Sequence, residues 1–321
     1  MAKVLVTGGA GFIGSHVVDA YIEAGHDVAV VDNLETGSRS YVNPDARFYE
    51  IDILDPSLEA IIAEERPTVV NHHAAQASIS RSIADPVHDA RTNILGSVRL
   101  LELGRKHGVR SFLFASSGGA VYGDQKWYPA TENHPLSPLN AYGIAKLTVE
   151  NYLRYYWEVH QIRYIALRYS NVYGPRQNPY GEAGVVAIFI GALLQGRRPI
   201  VYGDGHQTRD FIHVRDAVRS NILALDLLLR GGDAYLADVS AINIGTGRET
   251  SVLEILHQLV LIVGGSEECQ FESARNGEIR RSLLDIDRAG KVLNWKPSGS
   301  LEEGLRETAT WFMNENIQLK K

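Results

Sequence analysis

Lys3-Val4-Leu5-Val6-Thr7-Gly8-Gly9-Ala10-Gly11-Phe12-Ile13-Gly14 is the stretch from which the rest of the chain is read. Its first five residues are an apolar, β-branched run of strand length, and glycines then break it. Beyond Gly14 the apolar residues Val17, Val18, Ala20, Tyr21 and Ile22 recur at helical spacing, so the segment predicts strand, glycine turn, helix. Each glycine has a mechanical use. Gly8 permits the tight turn, Gly11 lets backbone approach a pyrophosphate, and Gly14 lets the helix lie close to the strand. The helix start at Phe12 and Ile13 offers unpaired N–H groups to an anion. A second strand over 27–31 ends in Asp32, at the spacing expected of a carboxylate that holds the adenosine ribose hydroxyls. A glycine turn with no ligand is the plainer reading, but the flanking strands and the acid that follows favour a dinucleotide site. A carboxylate at Asp32 repels a 2′-phosphate, which favours NAD over NADP despite the nearby Arg39.

Further strands are expected over 48–51, 68–71, 111–114 and 162–167, separated by helical patterns that include 87–107 and 142–160. The alternation argues for an α/β fold, a doubly wound parallel sheet of Rossmann type, with a smaller C-terminal α+β substrate region. Asp52 and Ile53 follow the third strand, where a side chain reaches an adenine. His72-His73-Ala74-Ala75-Gln76 follows the fourth, and its small residues suit a backbone lying along a cofactor, with contacts at Ala74 and Gln76. His72 and His73 are strand neighbours that point to opposite faces and lack the clustered ligands of a metal site, so they read as packing residues. Asn93 lies in the helical pattern over 87–107.

The fifth strand runs into Ser116-Ser117-Gly118-Gly119-Ala120-Val121-Tyr122-Gly123. Ligands of parallel sheets sit beyond the carboxyl ends of the strands, so Ser117 is placed to donate to a substrate oxygen, strand-end capping being the plainer role. Tyr142 and Lys146, four residues apart, share one helix face. A phenol of pKa about 10 is a poor base at neutral pH, and a nearby ammonium is expected to lower it toward the working range. The same helix carries Tyr152, Tyr155, Tyr156 and Trp157, an apolar surface suited to a second subunit, so a homodimer through the 87–107 and 142–160 helices is expected.

Length and composition bound the alternatives. The 321 residues suit one large domain or two ordinary ones. Net charge is −6 with Lys and Arg scattered, which argues against a nucleic-acid stripe or a membrane patch. Cys269 is the only cysteine, so neither an intrachain disulfide nor a cysteine-based metal site can form. No apolar run reaches membrane-spanning length and no basic leader precedes the first strand, so a cytoplasmic protein is expected. After Arg168 the regular pattern falls away. The expected organisation is an NAD-binding domain over 1–170, to which 216–249 returns, and a nucleotide-sugar region over 171–215 and 250–321.

Several of these pieces together resemble the extended short-chain dehydrogenase/reductase family, and within it the UDP-glucose (UDP-galactose) 4-epimerases. They are the glycine turn, Asp32-Asn33-Leu34, the serine turn ending Val121-Tyr122-Gly123, the Tyr142/Lys146 pair, Leu167-Arg168-Tyr169-Ser170-Asn171-Val172-Tyr173-Gly174, Arg209-Asp210-Phe211-Ile212-His213-Val214 and Leu293-Asn294-Trp295. The resemblance spans essentially the whole chain. It implies that UDP-galactose and UDP-glucose are interconverted by transient oxidation at C4′ with tightly bound NAD. Tyr142 is then the base, and Lys146 contacts the nicotinamide ribose and lowers the tyrosine pKa. Asn33 joins Asp32 on the adenosine side. Asn171, Arg209 and Arg275 match positions that grip the diphosphate, and Tyr202 one near the uridine. Ser282 matches a position where a bulky side chain excludes 2-N-acetyl sugars, and its small size leaves room for them. One departure stands out: many relatives carry a hydroxyl where this chain has Gly118. Ser117 by a backbone shift, a bound water, or Tyr142 unaided are the substitutes. Dehydratases of the same family carry an Asp-Glu pair where Gly119 and Ala120 stand here. A UDP-glucuronate 4-epimerase or decarboxylase, or a non-catalytic NAD-sensing protein, are the other readings.

Overall fold

The computed structural model describes residues 1–180, 184–231, 241–274, 277 and 279–315. Strands β1 (Lys3–Thr7), β2 (Asp27–Asp32), β3 (Arg47–Glu50), β4 (Val69–His72), β5 (Ser111–Ser117) and β6 (Arg163–Tyr169) join the strand Ala241–Ile244 in one seven-stranded sheet. Every pairing in it is parallel, and the order runs Ala241–Ile244, β6, β5, β4, β1, β2, β3. The chain reverses its winding between β1 and β4, the switch point where a crevice opens beyond the strand ends. The expected doubly wound α/β sheet is therefore what the residues build.

Both faces of the sheet are covered, which is why its strands read as continuous apolar runs. Val4 and Val6 pack on one face with Val17, Val18 and Tyr21 of helix α1 (Phe12–Glu23) and with Ala217, Ala224 and Leu228 of the helix Val214–Arg230. Leu5, one residue out of phase, packs on the other with Leu100 and Leu101 and with Val149, Leu153 and Tyr156 of the helix Ala141–His160. Strand β5 runs three residues past the expected end because its register with β6 continues to Ser117 opposite Tyr169.

The expected single helix over 87–107 is broken. A helix Pro86–Ala90 passes through a π-helical turn, Arg91–Leu95, into a helix Gly96–Lys106. The wider turn buries Asn93, whose side chain then bonds the backbone of Gln76 instead of solvent. Hydrophobic spacing does not show such a turn, since apolar residues flank it on both sides.

A second core gathers residues from the helices Val185–Leu194, Val252–Val263 and Leu301–Asn314. Capping boxes, Ser251 with Glu254 and Ser300 with Glu303, start the last two of these helices. The strand Thr208–His213 ties this region to the sheet's carboxyl edge by pairing with Asn171–Tyr173, Glu249–Ser251 and Arg281–Ser282. Among the described residues, no helix is long and apolar enough to cross a membrane.

Candidate active site

The glycine turn lies at the carboxyl end of β1. Gly8 takes a positive φ of 72°, and a Cβ on it would lie 2.5 Å from the Ala74 nitrogen. A Cβ on Gly14 would overlap the Gly8 carbonyl oxygen, so any larger residue there pushes α1 off the strand. Gly11 differs, because only the Gly8 oxygen, at 3.2 Å, stands near its open side. Helix α1 begins there with no side-chain cap and no acid in its first turn, which leaves the N–H groups of Phe12 and Ile13 and the positive end of the helix dipole to an incoming anion. A turn packed tightly on two sides and open on the third fits a dinucleotide pyrophosphate.

Asp32 does more here than the spacing suggested. Its Oδ2 accepts from the Ala10 N–H at 2.9 Å and its Oδ1 from the Leu34 N–H at 2.9 Å, so the carboxylate also braces the glycine turn. Asn33 donates to Asp52 Oδ2 at 2.8 Å, joining the ends of β2 and β3. Ile53 is placed otherwise than expected. Its side chain is buried in the core, 2.6 Å from where a Cβ on Gly96 would stand, so only its backbone is left for a ligand. Ala74 follows β4 against the glycine turn, its N–H donating to the Thr7 carbonyl at 3.0 Å. Gln76 is clamped by Asn93, which accepts from its N–H at 2.9 Å and donates to its carbonyl at 2.8 Å. His72 is hydrogen bonded to Thr7 and Ser97, and burial takes both it and His73 down to about 3, so neither carries a proton at neutral pH.

Tyr142 enters the crevice from the first turn of its helix. Asn140 caps that helix, its side-chain oxygen accepting from the Gly143 N–H at 2.9 Å. Lys146, one turn on, is 4 % exposed, donates to the Ala115 carbonyl at 2.8 Å and lies 4.7 Å from the Phe114 ring centre. The expectation that Lys146 lowers the phenol in the chain by itself is not met. Burial pushes Tyr142 up to about 12, only partly opposed by a hydrogen bond from Ser117. Burial also pulls Lys146 down to about 8, so its own charge is weakly held.

The glycines after Ser117 face different ways. A Cβ on Gly118 would lie 2.6 Å from Leu284 Cδ1, so this position looks into packed side chains. A Cβ on Gly119 would instead have Ser117 Oγ and Ser282 Oγ at 4.0 Å and Asn171 Oδ1 at 3.9 Å, an open spot ringed by polar atoms. Of the substitutes for the missing hydroxyl, Ser117 lines the same cavity as Tyr142, and its hydroxyl acts to lower the phenol.

One cavity of about 800 Å³ is lined by Ser117, Gly119, Tyr142, Asn171, Tyr202, Arg209 and Ser282. The fold thus brings together residues that lie up to 165 positions apart in the chain. Arg275 lies outside the described residues. The cavity also takes in residues that sequence reading missed, among them Arg197, Arg198, Gln207 and Phe189. Arg197 and Arg198 carried a signal in their adjacent charges after an apolar helix. Phe189 carried none, because nothing in an apolar helix distinguishes the face that lines a cavity. Among the described residues no cluster of His, Cys, Asp and Glu is arranged to hold a metal ion.

Residues 4–245 match the NAD dependent epimerase/dehydratase family. A UDP-glucose 4-epimerase from Mycolicibacterium smegmatis is 42% identical, over 98% of this chain and 99% of its own. The structure of a UDP-glucose 4-epimerase from Thermotoga maritima with UDP-glucose superimposes with a TM-score of 0.93 at 46% identity, covering 98% of this chain and 99% of that one. A UDP-N-acetylglucosamine 4-epimerase from Methanobrevibacter ruminantium in complex with UDP-N-acetylmuramic acid gives a TM-score of 0.89 at 34% identity, covering 98% of this chain and 99% of that one.

Proposed function

The chain belongs to the NAD-dependent epimerase/dehydratase family, and from that premise we propose that it is a UDP-glucose 4-epimerase, interconverting UDP-galactose and UDP-glucose with tightly bound NAD. The observation that carries the reading is the cavity in which a half-buried phenol, a serine hydroxyl, an asparagine and a guanidinium converge.

Two tasks fall to the chain's own side chains. A proton must leave and return at O4′, and the nucleotide must stay fixed while the sugar turns over. Bound NAD supplies the hydride acceptor and, on the return, the donor at C4′. Tyr142 takes the 4′-hydroxyl proton, and Ser117 orients that hydroxyl from the other side. Lys146 supplies positive charge beside the phenol. Arg209 and Asn171 anchor the diphosphate, aided by Arg275, while Tyr202 packs on the base; a guanidinium suits this because it can hold two phosphate oxygens at once. With the nucleotide held, the 4-keto sugar turns about its phosphate link and presents its opposite face. Gly8, Gly11, Phe12, Ile13, Asp32, Asn33, Asp52, Ala74, Gln76 and Asn93 form or brace the cofactor side, with Ile53 contributing backbone.

The division into an NAD-binding domain over 1–170 with 216–249, and a substrate region over 171–215 and 250–321, follows the same reading. The exposed Tyr152, Tyr155 and Val159 of the helix Ala141–His160 support a homodimer through that face. Ser282, small and beside the sugar position, supports activity on UDP-N-acetylhexosamines as well. Proton NMR of UDP-galactose incubated with the purified protein, without added cofactor, tests the central claim. UDP-glucose should accumulate to equilibrium, and absence of conversion while NAD remains bound would defeat it.

A further inference from the structure

Glu150 stands on the helix Ala141–His160 one turn past Lys146, itself one turn past Tyr142, so the three share a stripe of that helix. Two contacts dock the stripe on the end of β5. Lys146 donates to the Ala115 carbonyl at 2.8 Å, and Glu150 Oε1 accepts from the Ser116 hydroxyl at 2.5 Å. Ser117, the next residue and the last of β5, lines the cavity with Tyr142. Arg168, opposite Ser116 in the register of β6 with β5, meets Glu150 as a two-pronged fork, Nε to Oε1 at 3.0 Å and Nη2 to Oε2 at 2.6 Å. Its remaining nitrogen, Nη1, donates to the Tyr122 hydroxyl at 2.9 Å. That hydroxyl donates in turn to Asn243 Oδ1 at 2.7 Å, and Asn243 Nδ2 donates to the carbonyls of Ala130 at 2.9 Å and Asp285 at 3.1 Å. The bonds thus run unbroken from the helix of the phenol, through the turn after Ser117, to the segment that follows Ser282. Glu150, Arg168, Ser116, Tyr122 and Asn243 are all buried, and none of them lines the cavity.

A buried ion pair adds little to stability, because taking both charges out of water offsets their attraction, and apolar residues of similar volume often serve a core as well. What the fork adds is direction. Two parallel hydrogen bonds fix both the distance and the angle between the groups they join, which apolar packing does not. We propose that Glu150 and Arg168 are positioning residues for the reaction, holding the Tyr142 helix in one place on the end of β5 so that the phenol and the Ser117 hydroxyl address the same substrate oxygen. They act through Ser116, Tyr122 and the helix itself.

This inference rests on the reading of Tyr142 as the base. Its test combines Glu150→Met with Arg168→Met, so that no lone charge is left buried, and follows UDP-galactose turnover, NAD retention and the thermal melt. The double variant is expected to melt near the wild type, to keep its NAD and to hold KM within about twofold, while kcat falls by about 10²-fold, as when a reacting group is set roughly 1 Å out of place. A kcat within about twofold of wild type in the folded double variant overturns the inference. So does a fall in kcat that comes with loss of NAD or an equal rise in KM, which marks a general loosening. Where the double variant does not fold, Arg168→Lys decides. It keeps the charge and loses the fork, so kcat should fall about tenfold at unchanged KM, and an undiminished kcat overturns the inference. Failure of the underlying reading looks different, for then the wild type itself turns over no UDP-galactose.

Discussion

Lys146 Nζ stands 5.6 Å from the centre of the Tyr142 ring while donating a 2.8 Å hydrogen bond to the Ala115 carbonyl. The ammonium is thus moored to β5 beside the phenol, not bonded to it. Burial dominates both groups, leaving Tyr142 near 12 and Lys146 near 8. Tyr142→Phe should lower kcat by about 10³-fold with KM little changed, as expected for loss of a general base. The phenolate gained with rising pH is offset by the ammonium lost above about 8, so kcat should rise with pH up to about 8 and then level off. A steady-state pH series measures both.

The hydroxyl beside the phenol is Ser117, and Gly118 cannot take its place. Ser117→Ala should cost about 10²-fold in kcat, the effect of one positioned donor. Gly118→Ser should give no gain in rate and should lower stability by about 1–3 kcal/mol, because the new Cβ meets Leu284 at 2.6 Å. Kinetics together with thermal melts of the two variants separate the cases. Higher activity in Gly118→Ser would show that the turn repacks.

Ser282 offers a test of substrate breadth. It is buried and, with Asn171 and Ser117, rings the open spot at Gly119, which a phenol there would fill. Ser282→Tyr should reduce kcat/KM for UDP-N-acetylgalactosamine at least about tenfold more than for UDP-galactose. Equal losses on the two substrates would mean that the larger side chain distorts the cavity as a whole.

Away from the site, Glu65 makes the edge of the sheet sensitive to acid. Burial by itself would raise its carboxyl, but hydrogen bonds from Arg47 at 2.7 Å and Tyr49 at 2.5 Å, with the Lys3 ammonium 2.9 Å away, outweigh it and hold the group at about 2. A lowered carboxyl stabilises the fold fully above its ordinary value of 4.5, and that contribution is lost as pH falls from 4.5 toward 2. Glu65→Gln should cost about 2 kcal/mol at neutral pH and flatten the loss of stability below pH 4.5. Urea unfolding at pH 7 and pH 3 measures both effects.

The sheet and its winding were legible in the chain because strands buried on both faces must be apolar throughout, and glycine turns stand out against them. The cofactor turn was legible for a related reason: Gly8 and Gly14 stand where a Cβ has no space, so the constraint is written in residue identity. The π turn at Arg91–Leu95 was not legible. It lies within a continuous helical pattern, and the contact it allows, of Asn93 with the distant Gln76, joins segments that local spacing does not relate. The lowering of Tyr142 was misjudged for another reason: spacing places two side chains on one face but does not report how dry that face is.

By itself, the sequence determined the doubly wound sheet, the glycine turn with its acid at Asp32 and the helix that carries Tyr142 and Lys146, because these follow from local periodicity and from residues with no freedom to be otherwise. The tertiary structure alone decided that Ser117 shares a cavity with the phenol, that Gly118 looks into Leu284 and that Ile53 is withdrawn into the core. Those outcomes depend on burial and on distances between segments far apart in the chain, and neither quantity is carried by any one segment.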